Sequence, residues 1–388
     1  MKILFIINNL YATGNGLSAS ARRTIQYLKE TGNEVKVLSG PNPDPDGPAP
    51  DFPLKHFRFP IFEPLIAAHG YSFANGDPKR IEEAVRWADV VHMEEPFVLQ
   101  VKAVRICRRL GVPCTGTYHL HPENIFSSLN MGGWKFPNRS LLRFWRNWVF
   151  NFCDRVQCPT QNVMDRLRRY HFKPELEVFS NGLIPDTCLR PATPPEDYED
   201  PARPLLVVYI GRLSVEKDQP TLLEAMKHSA YAKRIQLYFA GQGPKAKSYR
   251  RKAMKLYKDG VLGYEPVFKF CSRDELRTLA SRADLCVHCA TIEVEGLSIM
   301  EAMQQGAVPV IAEGRYSGTS QFALDRRSRF PEKNPEALAA RIDWWLSHPA
   351  ERWEMGKQYA ASMEPYDIRK SVKHLLDMFQ HAINNKGR

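Results

Sequence analysis

Two carboxylates eight positions apart, Glu293 and Glu301, bracket Gly296, Leu297 and Ser298 where an apolar stretch runs into a helical one. A helix N-terminus concentrates unpaired backbone N–H groups and partial positive charge, which suits a phosphate. Gly296 lets a ligand come close to the backbone. The carboxylates would repel that phosphate, so their use is to accept hydrogen bonds from hydroxyls. An anion joined to hydroxyls describes a sugar nucleotide. The same residues also fit a bland junction in which Ser298 and Glu301 form a capping box.

Cations that would complete such a site stand earlier in the chain. Arg212 and Lys217 follow the strand Leu205–Ile210, the first of the second half, and offer a forked donor and a mobile point charge to a pyrophosphate. With both in place the chemistry calls for no metal, and no Asp-x-Asp pattern lies near them. Gly241 ends the next strand, Ile235–Ala240, and Gly14-Asn-Gly16 follows the first strand of the chain. That loop does not fit the dinucleotide fingerprint, since Ala19 occupies the third glycine position, which disfavours a nicotinamide enzyme. His92 and His119 close two further strands, with His121 just beyond, and strand ends on one edge of a parallel sheet converge on one crevice. Cys286-Val-His-Cys289 has metal-like spacing without a second pair, inside a run that reads as a buried strand.

These residues are placed by two alternations of strand and helix. The first covers residues 1–184 and includes helices at 78–87 and 98–110, strands at 89–92, 113–118, 155–158 and 176–179, and an extended Pro- and Asp-rich loop at 41–53. Residues 185–204 have the composition of a linker. A second unit spans 205–365, and an amphipathic helix, Ile368 to Ala382, ends the chain. The fold class is α/β with two Rossmann-like domains facing across a cleft.

At 388 residues, 43% hydrophobic and 25% charged, the composition is that of an ordinary folded protein and excludes a disordered one. No run suggests a signal peptide or a membrane span, so a cytoplasmic location is expected. The net charge of +11 is uneven: thirteen Lys and Arg stand against three Asp and Glu between Lys102 and Lys173. Such a field attracts nucleic acid, an anionic membrane or an anionic substrate. Within it, the helix predicted from Ser140 to Cys153 sets Arg139, Arg143 and Arg146 on one face, interleaved with Trp145 and other aromatic residues. That face fits a membrane headgroup layer, or the solvated side of a core helix. A nucleic-acid reading finds no base-stacking motif or recognised module.

Gly211-Arg-Leu-x-x-Glu-Lys217, Ala240-Gly-x-Gly243, Glu293-x-x-Gly-Leu-x-x-x-Glu301 and Gly306-x-x-Pro-Val-Ile311 together resemble the retaining glycosyltransferases of the GT-B fold, family 4. The resemblance covers nearly the whole chain. It implies that Arg212 and Lys217 contact the donor pyrophosphate, that Gly296, Leu297 and Ser298 give it backbone N–H groups, that Glu301 binds ribose, and that Glu293 faces the transferred sugar. It also implies that the loop Gly14 to Gly16 closes over the phosphates, that Gly241 belongs to the donor site, that His119 stands at the reacting sugar, and that the last helix returns to the first domain. Two departures are visible: Glu295 replaces a frequent aromatic residue, and the segment after Val310 lacks the usual Gly-rich signature.

Thr117-Tyr-His-Leu-His-Pro-Glu-Asn with the basic aromatic helix looks most like the bacterial members that glycosylate membrane lipids. The expectation is therefore retaining transfer of a hexose from a nucleotide sugar, with UDP favoured, to diacylglycerol or a glycolipid, without cofactor or metal. The enzyme would sit on the inner face of the cell membrane, with His92, His121, Arg139, Arg143, Trp145 and Arg146 toward acceptor and anionic lipid. The alternatives are a soluble or polysaccharide acceptor and, outside enzymology, a basic nucleic-acid-binding protein.

Overall fold

The computed structural model describes residues 1–12, 15–58, 63, 71–127 and 131–385. The chain forms two compact units, one of Met1–Pro122, Trp134–Gly182 and Ile368–Arg388, the other of Glu123–Gly133 and Leu183–Asp367.

In the first unit β1 (Lys2–Ile6), β2 (Glu34–Ser39), β3 (Phe52–Pro53), β4 (Val90–Met93), β5 (Cys114–Thr117), β6 (Arg155–Cys158) and β7 (Glu175–Val178) make one sheet in the order β3-β2-β1-β4-β5-β6-β7. All its pairings are parallel. β1 and β4 are buried at nearly every position because helices cover both faces, so they read as continuous apolar runs. The helices are α1 (Gly16–Glu30), α2 (Pro78–Trp87), α3 (Val98–Leu110), α4 (Lys135–Trp148) and α5 (Gln161–Arg169). Local chemistry fixes their ends: Asp77 caps α2 with Pro78 in its first turn, and Gly111 closes α3 in the left-handed conformation.

The second unit repeats the plan. Strands β8 (Leu205–Ile210), β9 (Ile235–Ala240), β10 (Val267–Lys269), β11 (Leu285–His288), β12 (Val308–Glu313) and β13 (Arg329–Pro331) lie in the order β10-β9-β8-β11-β12-β13, all parallel. Helices α6 (Gln219–Ala225), α7 (Ala246–Lys258), α8 (Arg273–Arg282), α9 (Leu297–Gln304), α10 (Pro335–Ser347) and α11 (Pro349–Ser362) belong with them. The final helix, α12 (Ile368–Asn384), is part of the first unit. Its Val372, Leu375, Met378 and Phe379 share one buried cluster with Ile3, Phe5 and Val35. In both sheets the strand order reverses beside the first strand, between β1 and β4 and between β8 and β11. Open α/β sheets bind ligands at such a point, off the carboxyl ends of the strands.

Two expectations about loops need correction. Residues 41–53 are not wholly loop, because Leu38 and Ser39 pair with Phe52 and Pro53, and Pro53 is tolerated there on the edge of the sheet. Residues 185–204 are not a free linker either. Leu189 N donates to the Gln305 side chain at 2.9 Å, Arg190 is nine-tenths buried and donates to the Ala283 carbonyl, and Tyr198 is buried beside Trp353. Proline-rich composition here stiffens a strap that is held by its polar groups.

That strap leads into a buried charge cluster. Asp284 is fully buried, takes Arg352 Nη2 at 2.8 Å and Arg203 Nη2 at 2.7 Å, and accepts the Leu206 backbone N–H at 2.8 Å. Removing one partner of such a cluster leaves desolvated charge behind. Asp284→Ala should therefore destabilise the second unit by about 3–5 kcal/mol, read as a lower midpoint in urea unfolding.

Candidate active site

In the second unit the switch point is built from three loops tied to one another. The segment Val215–Lys217 is bound to the strand end after β11 by Thr291, whose N–H and hydroxyl donate to the Glu216 carbonyl at 3.0 and 3.3 Å. Glu293 is held by a short parallel pairing with Ser317, and its carbonyl accepts Gly318 N at 2.8 Å. The result brings Lys217 into direct ion-pair contact with the Glu293 carboxylate. Burial works against the Glu293 charge, but Lys217 and His288 outweigh it and hold the carboxyl below its usual range.

Gly296 is the N-cap of α9, in the left-handed region at φ 92°, and a Cβ there would strike the Thr319 methyl. Ser298 does not make the capping box read from the sequence. Its hydroxyl instead donates to the Ile210 carbonyl at 3.2 Å, fastening the start of α9 to the end of β8. Leu297 opens the helix and Glu301, half-buried, lies one turn on. Gly241 ends β9 where a Cβ would collide with the Gly211 carbonyl, so these two loops pack backbone to backbone. The Arg212 guanidinium is largely buried, and its carbonyl is fixed by Gln219 Nε2 at 2.7 Å. Burial lowers its pKa while Glu216 opposes that.

At the switch point of the first unit the carboxylates come from Glu94 and Glu95, directly after β4. His119 Nε2 lies 2.7 Å from Glu94 Oε2. Glu95 Oε2 accepts both the backbone and side-chain N–H of Asn8 at 2.7 Å, which joins the ends of β1 and β4. Burial pushes the Glu94 carboxyl up, and the His119 and His92 rings more than offset this, so it sits below the ordinary carboxylate range. Gly16 begins α1, capped by the Asn15 side chain, while Gly14 lies outside the described residues.

Three residues assigned to an acceptor surface are not on one. His92 is 1% exposed, clasped by Thr115 and Thr117 hydroxyls at 2.9 and 3.0 Å and faced by the Phe5 and Phe379 rings. It lies within β4, beneath α12, rather than at the strand's open end. His121 is fully buried between Tyr118 and Arg166. Trp145 is 1% exposed and packs edge-on against Phe97, because the period of α4 turns it inward with Leu142. Arg139 and Arg143 are exposed, as are Trp134, Phe136, Phe144 and Trp148, with Phe136 at 82%. Arg146 is half-buried and donates to the Tyr170 carbonyl at 2.6 Å. The exposed face of α4 therefore carries aromatic rings and cations, and the helix contains no acidic residue.

Glu94 and His288 were missed by sequence reasoning. Glu94 follows β4 at the carboxyl edge, the position that marked His92 and His119, and a carboxylate there was a readable signal. His288 lay within the apparent Cys-x-x-Cys spacing. Cys286 and Cys289 are buried separate thiols whose pKa values burial raises, and His288 stacks on Tyr209 with Nε2 3.6 Å from Glu293. Burial foremost, then Lys217, brings the His288 pKa down to about 4 from 6.5. The unfolded chain takes up this proton near pH 6.5 and the folded one only near pH 4, so folding loses stability as pH falls through that window. His288→Gln should flatten the decline of the urea midpoint between pH 7 and pH 4.5.

Residues 195–362 match the family described as glycosyl transferases group 1, and residues 14–187 match glycosyltransferase family 4. The chain is 25% identical over 325 residues to alpha-monoglucosyldiacylglycerol synthase of Streptococcus pneumoniae, covering 81% of this chain and 71% of that protein. It is 25% identical over 328 residues to the GDP-mannose-dependent alpha-mannosyltransferase of Corynebacterium glutamicum, covering 80% and 72%. Sucrose-phosphate synthase from Thermosynechococcus elongatus superposes with a TM-score of 0.74 over 99% of each chain at 16% identity, a likeness of fold. Two parallel-sheet units of reversed strand order, matched nearly end to end by these two families, make this chain a GT-B glycosyltransferase of family 4, group 1.

Proposed function

We propose that the protein transfers a hexose, with retention, from a nucleotide sugar to a lipid acceptor at an anionic membrane surface. The exposed aromatic and cationic face of α4 carries the lipid reading. Rings such as Trp148 and Phe136 suit the headgroup boundary, and each cation near an anionic leaflet contributes about 1 kcal/mol. The diacylglycerol named in the streptococcal relative supports the same acceptor class. A UDP-hexose is the donor we favour, and the GDP-mannose of the corynebacterial relative is the alternative to be tested against it.

In the proposed mechanism the donor diphosphate departs toward Lys217, Arg212 and the N-terminus of α9. Their fixed charges stabilise the developing negative charge, as preorganised donors do for oxyanions, and no metal is required. Lys217 leaves Glu293 to reach the phosphate, which releases that carboxylate to a sugar hydroxyl. The departing phosphate oxygen takes the acceptor proton as the new glycosidic bond forms on the same face. His119, fixed by Glu94, faces the reacting sugar in this reading, and Glu301 accepts from ribose.

Hydrolysis of UDP-glucose, UDP-galactose and GDP-mannose, with and without diacylglycerol in vesicles, tests the donor and acceptor together. Lipid-stimulated release from a UDP-sugar, unchanged by EDTA and giving a product with the donor's anomeric configuration, is expected. Release from GDP-mannose alone would replace the donor, and release indifferent to lipid would favour a soluble acceptor. Lys217→Ala should lower kcat by roughly 10²–10³-fold when assayed where the variant is still folded, since loss of the Glu293 partner also lowers the urea midpoint, and intact turnover would remove Lys217 from the pyrophosphate site.

A further inference from the structure

Beyond the exposed face of α4 lies a second concentration of positive charge with a shape of its own. A concavity of about 510 Å³ is lined by Arg108, Arg146, His171 and Lys173, with Phe152 and Asn151 in its wall. All belong to the first unit. Arg108 comes from the last turn of α3 and Arg146 from the last turn of α4, while His171 and Lys173 follow the end of α5.

Basic residues at helix C-termini have an ordinary use, which is to satisfy the last carbonyls. Arg146 does so, donating through Nη1 to the Tyr170 carbonyl and through Nε to Asn147 at 2.9 Å. The Arg108 guanidinium and the Lys173 ammonium do not. Among the described residues neither has a hydrogen-bond acceptor or a carboxylate within ion-pair distance, although Arg80, Arg86, Arg109 and Arg155 of the same unit are all paired with Glu side chains. Arg108 is held over the Phe152 ring at 5.6 Å, and the Lys173 backbone is held by Asn151 at 3.0 Å, so the wall is fixed while the charges stay open. His171, also in the lining, takes φ 58° because it closes α5 in a Schellman turn, its N–H donating to the Arg168 carbonyl at 2.9 Å and Phe172 N to the Leu167 carbonyl at 3.2 Å.

We infer that this concavity binds the phosphate of an anionic lipid headgroup that carries no ammonium of its own. Three cationic side chains and an imidazole, with no acidic residue in the lining, suit a phosphodiester, and the Phe152 wall suits the glycerol carbons beside it. Asn147 and Trp148 run from the concavity to the exposed face of α4, and Arg105 stacks on Trp148 at 4.7 Å, so the site opens beside the surface already assigned to the membrane. The inference rests on the membrane reading and adds headgroup selection to it. Free phosphate offers the same chemistry from solution, and the test separates the two.

Flotation with vesicles of phosphatidylcholine containing equal fractions of phosphatidylglycerol or phosphatidylserine provides that test, since both lipids carry one net negative charge and only the second carries an ammonium. The wild-type chain should bind the phosphatidylglycerol vesicles several-fold more tightly. Arg108→Gln/Lys173→Gln should abolish that preference, whereas Arg139→Gln/Arg143→Gln, of equal charge change, should weaken binding to both vesicles about fivefold per charge removed and keep the preference. Equal losses from both double variants on both vesicles would overturn the site and leave only diffuse attraction. Saturable binding of inorganic phosphate by the soluble chain, lost in the first variant, with no vesicle preference, would overturn the lipid assignment. Failure of the wild-type chain to float with either vesicle would remove the membrane reading itself. Unchanged urea midpoints for both variants exclude unfolding as the cause of a loss.

Discussion

Each sheet depends on one constraint of parallel topology: the first strand is flanked by the second on one side and the fourth on the other. Chain leaving the carboxyl ends of these neighbours must diverge, so their last backbone groups find no ladder partner and must be met by side chains or ligand. The first unit meets the demand internally, with Glu95 accepting the backbone and side-chain N–H of Asn8. In the second, Ser298 reaches the last carbonyl of β8, and Ile299 and Met300 at the start of α9 donate back to the Gly296 carbonyl at 3.1 and 3.3 Å. The same geometrical necessity is thus met by different side chains in the two halves.

At the second unit's switch point Lys217 is balanced by its own counterion, Glu293. Lys217 without a partner would be a costly charge in a half-buried place, and Glu293 likewise. Joined, they neutralise each other, and His288 beneath them is kept neutral by burial. Such a pair can be divided by a ligand that satisfies both members, phosphate for the ammonium and hydroxyl for the carboxylate, and by few simpler molecules. Under the proposed mechanism, that exchange of partners is what would select a sugar joined to a phosphate.

Much of this was legible in the residues. The strands 155–158, 205–210 and 235–240 and the helices 78–87 and 98–110 are marked by apolar runs and by Asp77, Pro78 and Gly111, whose backbone preferences act locally. That Lys217 and Glu293 come shortly after strand ends was readable from the apolar runs Leu205–Ile210 and Leu285–His288 that precede them. What was not legible depends on tertiary context. α7 is crowded with Lys and Arg and shows its buried face only through Tyr249, Ala253 and Leu256. His92 and Trp145 have the chemistry of surface sites, and only the packing of α12 and α3 shows that they are core. Arg190 and Tyr198 lie in a stretch with linker composition because two buried polar groups carry almost no weight in an average over twenty positions.

The placement of α12 also affects how the protein comes to exist. Ile368, Val372, Leu375 and Phe379 cover one face of a sheet whose strands are made within the first 180 residues, and nearly all of the second unit is encoded in between. During synthesis the first unit must wait, with Ile3, Phe5 and Val35 uncovered on that face, until α12 emerges. The second unit, contiguous apart from a short segment, has no such delay, so the half that is translated later is the half that can finish folding first.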